Sequence, residues 1–189
     1  CRRFYEWRAS LDPNEITLVF PAAYLNNPAS MYGHTLLRID ARDQNERTRL
    51  LAYSISYAAG TDETSGLIFA VRGLFGGYPG VFAITPYYLK VREYSDIENR
   101  DVWEYQLTLT PLEIDRLLMH TWELGPTHFD YYFFDENCAY HLLSLLEVAR
   151  PGLELTDRFR WWAIPSDTVR AVAEQSGLVK HVVYRPATA

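Results

Sequence analysis

At Thr110 the hydrophobic period of this chain changes from two to about 3.6, and that switch limits the fold more than any other feature. Before it, Trp103, Tyr105, Leu107 and Leu109 alternate with Glu104, Gln106 and Thr108, the pattern of a strand with one wet face. After it, Thr110-Pro111-Leu112-Glu113 spells a capping box with Pro at the first helical position. Leu117, Leu118 and Trp122 carry the apolar stripe on to a stop at Gly125-Pro126. Strand patterns dominate the first part of the chain and helical ones the last, so the expected class is α+β, an antiparallel sheet packed against helices.

The strand half begins with 16–20, followed by a Pro/Asn-rich turn over 21–30 and a second strand over 34–40. The charged run 41–49 reads as a hairpin connection, with 50–57 as the partner strand, which brings Ser54, Ser56 and the tyrosines beside His34. Thr64-Ser65-Gly66-Leu67 opens a short helical segment closing at Gly73 or at Gly76-Gly77; 82–84 and 87–94 are further strand candidates. Beyond the switch, a second helix starts near Asn137 and ends at Pro151-Gly152. A third begins at Ser166 or Asp167 and stops at Gly177, and 178–184 adds an edge strand.

A chain of 189 residues that is 48% apolar can bury a sizeable core, and 1–189 reads as one domain. The chain opens at Cys1 without an initiator Met, so a segment of a larger precursor is expected. A net charge of −6 with no basic stripe excludes the usual nucleic-acid-binding surface. No stretch reaches the roughly 18 apolar residues of a membrane span, and no signal peptide stands at the start. Fourteen tyrosines suit either a cleft or a membrane-facing surface, and equally an ordinary Tyr-rich sheet.

Two places carry chemistry. Asp135-Glu136-Asn137-Cys138 sets a thiol in the first turn of a helix, where unpaired N–H groups and the positive end of the dipole favour a thiolate. Ser30, Tyr32 and Gly33 form a turn delivering His34 to the start of a strand. His141 follows Cys138 by three residues on the same helical face, which leaves little room for a substrate carbonyl between them, and is expected to pack. Asn137 is expected to cap the helix, with Asp135 as a competitor. No paired Cys or His motif accompanies these residues, so neither a metal nor a cofactor is expected.

Gly33-His34-Thr35-Leu36-Leu37-Arg38, Gly76-Gly77-Tyr78, the run from Pro86 through Tyr87-Tyr88-Leu89-Lys90 to Val91, Trp103-Glu104-Tyr105, the run from Tyr132 to Cys138, and Ala149-Arg150-Pro151 occur in order along nearly the whole chain. Together they resemble the Lnb N-terminal periplasmic domain family, which itself looks like a circularly permuted branch of the papain-like, NlpC-type superfamily. The resemblance implies a permuted papain-like fold in which the histidine precedes the cysteine, as His34 precedes Cys138. The family's namesake is a lipoprotein intramolecular transacylase. The resemblance therefore implies a periplasmic or otherwise extracytoplasmic thiol acyltransferase working through a thioester, with a lipid or lipoprotein substrate and a membrane surface as allowed partners. The wider superfamily implies an alternative, a cell-wall peptidase or amidase, and a non-catalytic binding module is the reading from another class.

In this scheme Cys138 is the nucleophile and His34 the general base. Ser56 stands where relatives carry an Asn, in Tyr53-Ser54-Ile55-Ser56-Tyr57, so the orienting third residue is reduced to a hydroxyl. Asn137, Ser30, Tyr32, Tyr53 and Tyr57 are expected around the substrate; strand alternation lets only the tyrosines or only the serines face the cleft. The apolar, Gly-rich segment 67–81 reads either as a lipid-facing flap or as ordinary packing against the sheet.

Overall fold

The computed structural model describes residues 1–22, 34–45, 48–60, 77–92, 100–132, 137–159 and 162–187. Seven strands, β1 (Pro13–Pro21), β2 (Leu36–Ala41), β3 (Tyr53–Ala59), β4 (Tyr78–Pro86), β5 (Val102–Leu107), β6 (Phe129–Tyr131) and β7 (Val179–Arg185), form one sheet. Its order is β6-β4-β3-β2-β1-β5-β7, antiparallel at every step. The helices are α1 (Arg2–Leu11), α2 (Tyr87–Val91), α3 (Pro111–Leu124), α4 (Cys138–Ala149) and α5 (Pro165–Glu174). The α+β class read from the change of period is the observed one.

One face of the sheet holds the main core. Ile16, Leu18, Leu37, Ile39, Ile55 and Tyr57 point toward Leu117 and Leu118 of α3 and Leu142, Leu145 and Leu146 of α4, all buried. Each such side chain contributes about 1.5–3 kcal/mol on burial. Because α4 packs against β2 and β3 on one side and against α3 and α5 on others, it is apolar nearly all round. That central position fixes its first residue, Cys138, against the sheet.

The opposite face departs from the wet surface that the alternation of 102–109 predicts. Val19, Leu36, Ala52, Tyr87 and Val102 form a second apolar cluster there, and Glu104 is buried. Its carboxylate sits 2.9 Å from Arg38, 3.1 Å from Arg185 and 3.7 Å from Arg49, and accepts from the Tyr87 hydroxyl at 3.3 Å. Arg38 also grips Asp40 at 2.6 Å. Three arginines from separate segments offset the desolvation of one glutamate, and period alone cannot show that.

Other expectations shift by element. The strand expected over 87–94 is a helix, α2, in the described part: Pro86 fixes φ near −56° and the Tyr87 N–H leaves the ladder to reach the Ala52 carbonyl at 2.8 Å. The strand over 50–57 starts late, at Tyr53, because Arg49–Leu51 close a 3-10 turn. The strand over 34–40 also starts late, at Leu36, leaving His34 and Thr35 ahead of the ladder. Helix α1 was missed although Phe4, Trp7 and Leu11 carry helical spacing, and so was the three-residue β6. The helices from Thr110, Asn137 and Ser166 appear as α3, α4 and α5, the last starting at Pro165, and the edge strand appears as β7. The segment 64–77 lies outside the described residues except for Gly77, as does most of the 21–30 turn. No helix among the described residues is long and apolar enough to cross a membrane.

Candidate active site

Asn137 builds the site. In an extended conformation it accepts at Oδ1 from the N–H groups of Ala139 at 3.0 Å and Tyr140 at 3.3 Å, capping α4. Its Nδ2 donates to the Ala163 carbonyl at 2.6 Å, tying the cap to the segment before α5. Cys138, the next residue, is unpaired and only 4% exposed.

Burial raises the thiol's pKa, while the backbone N–H groups of Thr35, Ala139 and Cys138 itself, with the Thr35 hydroxyl close by, pull it back. Burial dominates, so the resting sulfur is a neutral thiol. The Thr35 donors come from the edge of a split in the sheet. The pairing of β2 with β3 ends at Leu37 opposite Ile55, whereas β3 continues beside β4 to Ala59. Two residues before that last pair, Thr35 is buried on the α4 side of the strand.

His34 precedes Thr35 and is partly exposed as a residue, yet its imidazole is desolvated. Burial lowers its pKa to about 3, helped by the charges of Lys90 and Arg100. Arg100 is itself buried and held by the Pro21 carbonyl at 3.1 Å. His34 and Thr35 precede β2, so strand alternation does not fix the face that the His34 imidazole takes. Both residues stand ahead of the first ladder residue, at the open end of the strand.

An aromatic group packs on the same turn of α4. The Tyr57 ring lies 4.1 Å from His141, 5.0 Å from Phe82 and 5.9 Å from Tyr131. Tyr57 has room because it lies over Gly80, where any Cβ would collide with its hydroxyl. Burial holds the pKa of His141 at about 4, and burial together with Cys138 and Tyr57 raises that of Tyr131. Phe82 also lines an apolar cleft of about 430 Å³ with Trp7, Ile84, Trp122 and Pro126. The one side-chain hydroxyl in that lining, on Thr121, is already bonded to the Leu117 carbonyl at 2.8 Å.

The expected site residues therefore fall in different places. Tyr57 joins Cys138 in the core-side cluster. Tyr53, at the start of β3, is 39% exposed and paired with Ile39 and Pro86 at the far end of the strand. Ser56 is buried on the opposite face, one residue beyond the last partner of β2. Asn137 serves as the cap, and His141 packs among aromatics. Ser30 and Tyr32, with Asp135 and Glu136, lie outside the described residues. Among the described residues no three His, Cys, Asp or Glu side chains converge as metal ligands. The sequence reading overlooked Thr35, although it stands next to His34.

These features define an α+β domain in which an antiparallel sheet packs against a helix that carries a buried thiol at its N-terminus. The family model described as Lnb N-terminal periplasmic domain matches residues 3–175, and the chain belongs to that family, a periplasmic one. No curated protein and no solved structure matches the chain.

Proposed function

We propose that this domain is a cysteine-dependent acyltransferase of the bacterial envelope, acting through a thioester on lipid or lipoprotein acyl groups. The observation that carries the reading is a buried thiol in the first turn of a central helix, directly after a cap that fixes the helix start, the placement an acyl-transfer nucleophile and its oxyanion need. The sheet order, with the histidine strand ahead of the cysteine helix in the chain, supports a permuted papain-like fold.

Catalysis starts from a neutral pair. His34, kept unprotonated by burial and by Lys90 and Arg100, takes the Cys138 proton as the sulfur attacks the acyl carbonyl. The oxyanion of the tetrahedral intermediate draws on the Cys138 backbone N–H at the start of α4, and its collapse expels the alcohol, which recovers the proton from His34. An amine or water then attacks the thioester, and the thiol is regenerated. Ser56 supports His34 from the adjoining strand. The cleft bordered by Phe82 supports an apolar substrate group, since Trp7, Phe82, Ile84, Trp122 and Pro126 make most of its lining.

Intact-mass measurement of wild-type and Cys138→Ser protein after incubation with envelope phospholipid or diacylated lipopeptide tests this. A fatty-acyl adduct on the wild type alone is expected. An adduct only with a peptidoglycan-derived peptide would transfer the reading to a cell-wall amidase. The burial of the sulfur favours the remaining reading, a binding module without turnover. Absence of any adduct, with the thiol inert to mild electrophiles in the folded protein, would establish it.

A further inference from the structure

We propose that the Thr35 hydroxyl is the donor held in reserve for negative charge on the Cys138 sulfur, so that Thr35 is a catalytic residue beside Cys138 and His34. The inference rests on reading Cys138 as the nucleophile. It starts from an anomaly: Thr35 is 1% exposed, and its Oγ1 is enclosed without a hydrogen-bond partner. A buried hydroxyl left unpaired is costly and calls for a reason.

Its surroundings supply one. Thr35 stands where β2 has parted from β3, and its hydroxyl lies close enough to Cys138 to affect the thiol although it lacks full hydrogen-bond geometry. A neutral thiol is a weak acceptor, whereas a thiolate is a strong one. The hydroxyl therefore gains its partner only when the sulfur ionises or carries charge on the way to the tetrahedral intermediate. Such an interaction, stronger in the charged state than at rest, speeds a reaction instead of merely holding the fold together. The other titratable groups near the sulfur are the Tyr131 hydroxyl from β6, His141 one turn along α4, and His34 beside Thr35. Near neutral pH His34 and His141 are uncharged, so neither offers a thiolate positive charge in place of the Thr35 hydroxyl.

Thr35→Val keeps the shape and removes the hydroxyl; Thr35→Ser keeps the hydroxyl. In a Cys1→Ser background with ¹³Cβ-labelled cysteine, the Cys138 titration is followed by NMR, which needs no reagent to reach the sulfur. The Thr35→Val thiol is expected to titrate about one pH unit or more above the parent, a tenfold loss of thiolate at neutral pH, with Thr35→Ser close to the parent. Thermal melting of Thr35→Val is expected to be unchanged or raised, because an unpaired buried hydroxyl has been replaced by a methyl. Identical titrations for the parent and Thr35→Val would overturn the proposal, as would a sulfur that stays protonated up to alkaline unfolding in both. A marked drop in melting temperature for Thr35→Val would also overturn it, since the hydroxyl would then be serving the fold. The titration reads sulfur ionisation and not acyl transfer. A shift without any acyl adduct would leave the Thr35 assignment standing while the acyltransferase reading fell.

Discussion

Helices α3 and α4 begin in opposite ways. At α3 the exposed Thr110 hydroxyl accepts from the Glu113 N–H at 3.3 Å and the Glu113 carboxylate accepts from the Thr110 N–H at 2.7 Å, a closed capping box. Arg150 seals it with contacts of 2.7 and 2.9 Å to Glu113 and 2.6 Å to the Thr108 carbonyl. At α4 the Asn137 cap takes the N–H groups of Ala139 and Tyr140, but it is buried, its amide is tied to a different segment, and a buried thiol follows it. Both caps satisfy N–H groups of the first turn; what differs is that the α3 cap is local and exposed, whereas the α4 cap holds a thiol at a fixed place in the core.

That contrast breaks most visibly through Asn137. Asn137→Ala removes the cap and strands the buried Ala163 carbonyl, a loss of about 2–4 kcal/mol in denaturant unfolding, with acyl-adduct formation falling in parallel. Thr110→Ala is expected to cost about 1 kcal/mol and to leave Cys138 reactivity unchanged. Equal losses at the two caps would mean that burial adds nothing at α4.

Acid separates the two ends more gently. His34 and His141 have folded pKa values of about 3 and 4, lowered from 6.5, so their contribution is complete above pH 6.5 and is lost as pH falls toward 4. Glu113, held at about 2 chiefly by its hydrogen bonds to Arg150, keeps its contribution down to about pH 4.5 and loses it as pH falls toward 2. Unfolding free energies over this range are expected to decline first at the α4 end. His141→Leu should flatten the limb from pH 6.5 to 4, and Glu113→Gln only the limb below 4.5. A His141→Leu curve parallel to wild type would place that loss elsewhere.

How much of this was legible in the sequence follows the range of the interactions. The capping box of α3 and the Asn137 cap are local, spelled within four residues, and were readable to the residue. The core-side position of Tyr57 follows from alternation once β3 is placed. What escaped is long-range. Glu104 reads as a wet-face residue because the arginines that bury it come from positions 38, 49 and 185. Residues 87–91 carry strand-forming side chains, and only the Ala52 carbonyl waiting for the Tyr87 N–H turns them into a helix start. Thr35 was overlooked because its role depends on where β2 and β3 part, which no local pattern records. Helix α1 was legible in Phe4, Trp7 and Leu11 and was simply passed over.

The central claim is that the thiol at the α4 terminus is activated by the imidazole one residue before Thr35. Single-turnover formation of the acyl-enzyme, followed by rapid quench and intact mass for wild type, His34→Ala and His141→Ala, tests it most directly. The account predicts a rate lower by about 10²–10⁴-fold in His34→Ala and a much smaller change in His141→Ala. Acylation of His34→Ala at the wild-type rate would contradict it.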